Sequence, residues 1–318
     1  MTNPSKPYPL SVWLALFSVY LVWGSTYLGI RFAIETIPPL LMAGSRFLVS
    51  GSLLYVFMRF RGASRPRAEH WKSAFIISVF LILIGNGGVT WAEQKVPSGI
   101  TALLVGTVPL WMVVLEYFWK GEARPGGKAW FGIFLGLAGI TFLVFSRSGA
   151  APVQVNVSYA LLLIATSLAW SYGSLYARSA PLPDSAILAT AMEMALGGIL
   201  QLIVGFLMGE GAKFHLHQIT AHSAWAWVYL GLVGSLVGFS SYIWVLQKST
   251  PALASTYAYV NPVIAVFLGW ALGHEGFSGQ TLGAAALIVT AVLLITLDRG
   301  KKSGRAGALK RRSKRLIK

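Results

Sequence analysis

Ten apolar runs, each of about 20 residues, follow one another along this 318-residue chain. They lie near residues 10–30, 39–59, 72–92, 97–118, 128–146, 157–177, 186–208, 223–246, 251–272 and 279–297. A helix of about 20 residues, rising 1.5 Å per residue, spans the roughly 30 Å hydrocarbon layer of a bilayer. The runs are continuous rather than alternating, which favours helices over barrel strands. Only 11% of the residues are charged and 55% are hydrophobic, whereas soluble domains are about a quarter charged. A single soluble core also stops growing near about 250–300 residues, so lipid is the solvent this surface requires. The sequence therefore predicts an all-α polytopic membrane protein of ten transmembrane helices. The first run is full length and lacks an A-x-A cleavage site, so it is expected to be retained. The absence of cysteine excludes disulfides, thiolate metal sites and cysteine nucleophiles within the chain.

Charge sets the expected orientation. With the N-terminus inside, 21 of the 26 Lys and Arg residues fall in inside segments and four in outside loops; Arg46 is the remaining one. The positive-inside rule then places both termini in the cytoplasm. Residues 299–318 form a tail with ten basic residues and no acidic one. Such a tail is expected to lie against anionic lipid headgroups. It has no aromatic residue to stack on bases, so nucleic acid is not an expected partner.

The chain repeats itself. Trp23 in LVWGSTYLGI has a counterpart in Trp170 of LAWSYGSLYA, 147 residues on. GNGGVTWAEQK (85–95) aligns with GFSSYIWVLQK (238–248); at the same offset of 153 Pro109 falls over Pro262, and VPSGITALLVGTVPLW (96–111) resembles TPALASTYAYVNPVIA (250–265). Glu122 and Glu275 follow those prolines at equal distance. The expected organisation is a first five-helix repeat at 1–147, a linker at 148–157, a second repeat at 158–298 and the tail. Five is odd, so the second repeat is expected to cross in the opposite sense, as in inverted-repeat transporters.

WGSTYLGIRFAIETIPPLLMAGSRF, TVPLW and YVNPVIAVFLG, together with the five-plus-five repeat, resemble EamA-type members of the drug/metabolite transporter superfamily. The resemblance covers nearly all of the chain except the tail. It implies a bacterial inner-membrane protein that exports small metabolites, such as amino acids, or drugs. It also implies a central cavity lined mainly by spans 1–4 and 6–9, with spans 5 and 10 peripheral.

Arg46 and Glu193, the two ionisable residues deep within spans, occupy equivalent positions in the two repeats. Intramembrane charges normally face a bundle interior or an aqueous cavity. They either flank a cavity, holding the carboxylate and ammonium of a zwitterion or each serving a gate, or are neutralised locally without touching cargo. Trp23 and Trp170 fall near midplane rather than at the interfaces that tryptophan prefers. With Ser25, Thr26 and Tyr27 beside the first, and Ser171, Tyr172 and Ser174 beside the second, they are expected to form a cavity wall. Asn86, Tyr257, Tyr259 and Asn261 are candidate polar contacts or helix ties. Pro109 and Pro262 are candidate hinges, since proline frees a carbonyl one turn earlier. Glu93 and Lys95 are expected at a solvated outer helix end, and Glu116 and Lys120 as a local ion pair. Gly132-x-x-x-Gly136 is expected to pack within a monomer. His215, His217 and His222 are too thinly supported for a metal site, so neither metal nor cofactor is expected.

The expected function is a secondary transporter of small molecules working by alternating access. A passive channel remains the alternative, and an intramembrane enzyme a more distant one. No Walker A pattern is present to use ATP, and no nucleophile–base or metal constellation appears within the spans.

Overall fold

A computed structural model describes residues 8–119, 126–145, 156–248, 256–276 and 278–295. The expected linker, the tail and Glu122 lie largely or wholly outside these residues. The described residues are helical and contain no strand.

The helices are α1 (Leu10–Ala33), α2 (Pro39–Phe60) and α3 (Ala68–Ala92). Next come α4 (Ser98–Val105 and Val108–Trp119), α5 (Gly127–Phe145), α6 (Val157–Ala177) and α7 (Ala186–Leu207). The chain continues with α8, which joins Ala221–Tyr229, Leu230–Val237 and Gly238–Lys248, then α9 (Tyr257–Ala271) and α10 (Gly279–Ile295). Among the described residues, seven of these helices are long and apolar enough to cross a membrane, namely α1–α4 and α6–α8; the described apolar stretches in α5, α9 and α10 are shorter. Large apolar side chains such as Phe17, Leu53, Phe57, Phe134, Leu161, Phe206 and Phe267 point outward. A surface of this kind suits lipid, since exposed apolar patches on soluble monomers rarely exceed a few hundred Å².

Helix ends follow local chemistry. Proline opens α2 at a position where its missing N–H costs nothing. The side chains of Asn156, Ser185 and Thr220 accept from backbone N–H groups at the starts of α6, α7 and α8. Helices α2 and α7 both stop at left-handed glycines, Gly62 (φ 84°) and Gly209 (φ 78°). These two glycines are 147 residues apart, the spacing that relates Trp23 to Trp170.

The central seam joins α2 to α7. A Cβ on Gly198 would lie 2.7 Å from the Gly44 carbonyl oxygen, and one on Gly51 would lie 2.9 Å from the Ala191 carbonyl oxygen. The pairing runs antiparallel, and each contact is the repeat image of the other. Small residues allow this approach, and without a hydrophobic drive in lipid such packing carries much of the helix association. Gly132 meets Ala291 of α10 in the same manner, so the Gly-x-x-x-Gly pattern is used within the chain.

Two π-helical stretches, Val79–Asn86 in α3 and Leu230–Val237 in α8, occupy matching places in the two repeats. Wider turns leave carbonyls without their usual partners, and in an apolar medium these must be satisfied internally. Gln201 Nε2 donates to the Ile82 carbonyl (2.7 Å), and Ser50 Oγ to the Gly231 carbonyl (3.0 Å).

The turns after α1, α3, α7 and α9 gather at one end, here called distal. Glu210 accepts from the Leu40 and Leu41 N–H groups (3.2 and 2.9 Å), and Glu275 from those of Ser98 and Gly99 (2.7 and 3.1 Å). A carboxylate suits the positive end of a helix. Thermal unfolding in detergent micelles checks the Glu210 cap. Glu210→Ala is expected to cost about 1–2 kcal/mol, the usual price of a lost N-terminal cap; an unchanged midpoint would show that the cap contributes nothing.

Candidate functional site

A cavity opens at the centre of the bundle, with ≈ 960 Å³ of atom-free space including its mouth. Its described lining comes from α1, α2, α3, α4, α6, α8 and α9, that is, from both repeats. Helices α5, α7 and α10 contribute none of that lining. The absence of α5 and α10 matches the arrangement implied by the resemblance. The absence of α7 does not, and the seam gives the reason: α7 lies behind α2, with its glycine face closed against it.

Trp23, Thr26, Tyr27 and Ile30 share one face of α1 and all face the cavity. Trp23 is held edge-on by Phe239 (5.2 Å between centroids) and Tyr257 (5.1 Å), and at a tilt by Tyr242 (4.9 Å). Thr166, Ser167 and Trp170 of α6 form the opposing wall. Each tryptophan lies on a glycine of the other repeat. A Cβ on Gly238 would meet Trp23 Nε1 at 2.6 Å, and one on Gly85 would meet Trp170 Cε3 at 3.0 Å. Gly85 and Gly238 are themselves an aligned pair, so the two tryptophans are seated by the same device used twice.

Arg46 supplies the one charge among the described lining residues. It is 3% exposed. Its Nη2 donates to Asn86 Oδ1 (3.0 Å), and its guanidinium carbon lies 4.3 Å from the Phe47 ring centroid. Its Nε has no hydrogen-bond partner. An arginine lining an aromatic chamber can pair with a carboxylate or another anion.

The predicted residues divide into two groups. Trp23, Thr26, Tyr27, Arg46, Asn86, Trp170, Tyr257, Asn261 and Pro262 meet at the cavity. Ser25 turns away to Tyr229 (2.5 Å between hydroxyls), Tyr172 packs on Phe80, and Ser174 donates to the Trp170 carbonyl. Pro109 follows the break between the two segments of α4, and the glycine of that break, Gly106, faces Pro262. Glu193 is half-buried outside the described lining; Ser78 donates to its backbone carbonyl. The Tyr259 side chain lies outside the described residues.

One of the remaining expectations needs correction. Glu93 is fully buried rather than solvated, because the distal turn folds it beneath α1 and the α9–α10 connection; Lys95 is exposed as expected. Glu116 pairs with Arg178 (2.9 Å), while Lys120 lies outside the described residues. His222 faces Glu35 (3.2 Å), and among the described residues no three metal-capable side chains converge. Phe239, Thr166 and Ser167 join the lining without having been predicted. Phe239 is the repeat partner of Asn86, and the other two lie one turn before Trp170, so repeat spacing and helical period both carried the signal.

Comparison with known proteins completes the picture. The inner membrane transporter YedA of Escherichia coli K12 is 40% identical over 90% of both chains. The transporter YoaV of Bacillus subtilis is 27% identical over 90% of this chain and 97% of its own. A crystal structure with 23% identity, covering 91% of this chain and 97% of its own, superimposes with a TM-score of 0.60, so the fold is shared. The EamA-like transporter family matches twice, at residues 10–145 and 157–297. The chain is therefore a tandem of two EamA repeats and belongs to the EamA-like transporter family.

Proposed function

We propose that this protein is a secondary transporter of a bacterial inner membrane, exporting small aromatic or amphipathic molecules that carry a carboxylate, by alternating access. In this reading ten helices cross the membrane, the two repeats are inverted, and both termini are cytoplasmic. The observation that carries it is the central cavity, walled by aromatic residues from both repeats and charged by Arg46. Aromatic walls favour a flat apolar body, and a single buried cation favours an anionic group. The antiparallel α2–α7 seam supports the inversion. The distal hydrogen bonds of Glu210 and Glu275 support a state closed to the outside.

Counterflow in liposomes tests the proposal. Three cargo types are compared: an aromatic amino acid, the same skeleton without its amine, and the same skeleton without its carboxylate. The first two are expected to exchange saturably and the third to fail. Non-saturating leak would indicate a channel, and equal exchange of the amine would remove the anion preference. Trp170→Ala is expected to raise KM by about 2- to 12-fold, since an aromatic contact contributes about 0.5–1.5 kcal/mol. The same assay checks this, and an unchanged KM would place cargo away from that wall.

A further inference from the structure

Glu93 follows the last residue of α3 and is fully buried. Neither of its carboxylate oxygens has a hydrogen-bond partner among the described residues. Neither nearby arginine bonds this carboxylate. Arg31 of α1 donates through Nη1 to the Glu93 backbone carbonyl (3.1 Å), and Arg46 of α2 donates to Asn86. Glu275, from the connection after α9, spends its carboxylate on Ser98 and Gly99 at the start of α4. One short turn, residues 94–97, thus separates a buried unpaired carboxyl from a helix end clamped by another carboxylate.

A lone buried carboxylate is costly, and such a group takes up a proton instead. Burial pushes the Glu93 carboxyl well up, Glu275 pushes it further, and Arg31 and Arg46 oppose. Tyr27 of α1, among the described residues, also senses it. These are the groups facing Glu93 from the elements around it.

We propose that Glu93 is a proton-binding site and that its proton holds the distal end of the bundle closed. Opening that end admits water, ionises Glu93, and sets it against Glu275, which loosens the α3–α4 turn from α1 and the α9–α10 connection. The proton comes from and returns to water. The closed form binds the proton more tightly than the open form. Closure is therefore complete at low pH, and it is lost as pH rises through the closed-state value. This inference rests on the alternating-access reading, in which the distal end is the outer gate and the bound proton is the coupling ion.

The test uses the full-length protein in phosphatidylethanolamine–phosphatidylglycerol vesicles without cargo. Infrared difference spectra across pH are expected to show a protonated carboxyl band that converts to carboxylate as pH rises and is lost in Glu93→Gln. Amide hydrogen exchange in residues 94–101, corrected for intrinsic pH dependence, is expected to quicken over the same range in the native chain and stay slow in Glu93→Gln. Should Glu93→Gln fail to fold, two further variants read the same site. Arg31→Gln is expected to move the band midpoint up and Glu275→Gln to move it down, each by about one pH unit or more. A band that survives Glu93→Gln, midpoints that do not move apart, or exchange without the extra pH dependence would overturn the proton site. No step of this experiment requires transport. A titrating Glu93 in a protein that shows no counterflow removes the transport reading and leaves the site standing; counterflow without the band does the reverse.

Discussion

Arg46→Gln is expected to weaken binding of a carboxylate-bearing aromatic compound by about 30- to 150-fold, or about 2–3 kcal/mol at roughly 1.4 kcal/mol per tenfold. Arg46 is the one charged side chain in the described lining and is nearly inaccessible to solvent. Hydrogen bonds to charged groups contribute about 1.5–3 kcal/mol, and low-dielectric surroundings favour the upper part of that range. Glutamine retains a donor that can reach Asn86, so the helices should stay tied while the charge is removed. Isothermal titration with purified protein measures the loss. The uncharged analogue should lose little, because the aromatic wall is untouched. Equal weakening of both compounds would mean that Arg46 shapes the cavity and does not pair with cargo.

Gly198→Leu is expected to abolish the folded protein. A Cβ at this position would lie 2.4 Å from the Leu48 nitrogen and 2.7 Å from the Gly44 carbonyl oxygen. Both are backbone atoms of α2, so no rotamer change can relieve the overlap. Overpacking against movable side chains costs about 1–3 kcal/mol; moving a helix backbone along the central seam should cost more. Gly51, its partner 147 residues earlier, meets Ala195 and Ala191 in the mirrored contact, and Gly51→Leu should fail equally. By contrast Gly127, with open space around its missing Cβ, should accept leucine. Fluorescence-detected gel filtration of the three variants reads the outcome. Monodisperse Gly198→Leu would show that the seam is dispensable.

Much of this site was legible from the chain because lipid imposes simple rules and a duplication states each feature twice. The pair Trp23 and Trp170 was found from spacing alone, and both line the cavity. Ser25 adjoins them in sequence, yet it sits off the face shared by Trp23, Thr26, Tyr27 and Ile30, which follow the i, i+3, i+4, i+7 pattern. The helical period separates it from them. The sequence around Glu93 points to solvent, because a charge at a helix end near a lysine usually meets water. Its burial depends on contacts with residues of α1 and of the α9–α10 connection, distant in sequence. Arg46 and Glu193 match in sequence but not in surroundings, since α2 turns toward the cavity and α7 behind it. The π-helical stretches leave no periodic mark in an all-apolar run; only the glycines near them hint at close approach.

The central claim is that two EamA repeats enclose one chamber that opens to each side in turn. The chain has no cysteine, so single cysteines can be placed without prior engineering. Thr26 and Ser235 line the cavity from α1 and α8. Thr26→Cys and Ser235→Cys, in right-side-out and inside-out vesicles, are labelled with a membrane-impermeant thiol reagent with and without cargo. Both positions should react from both sides, with cargo changing which side reacts faster. Reaction from one side only under every condition, or only with a lipid-soluble reagent, would contradict it.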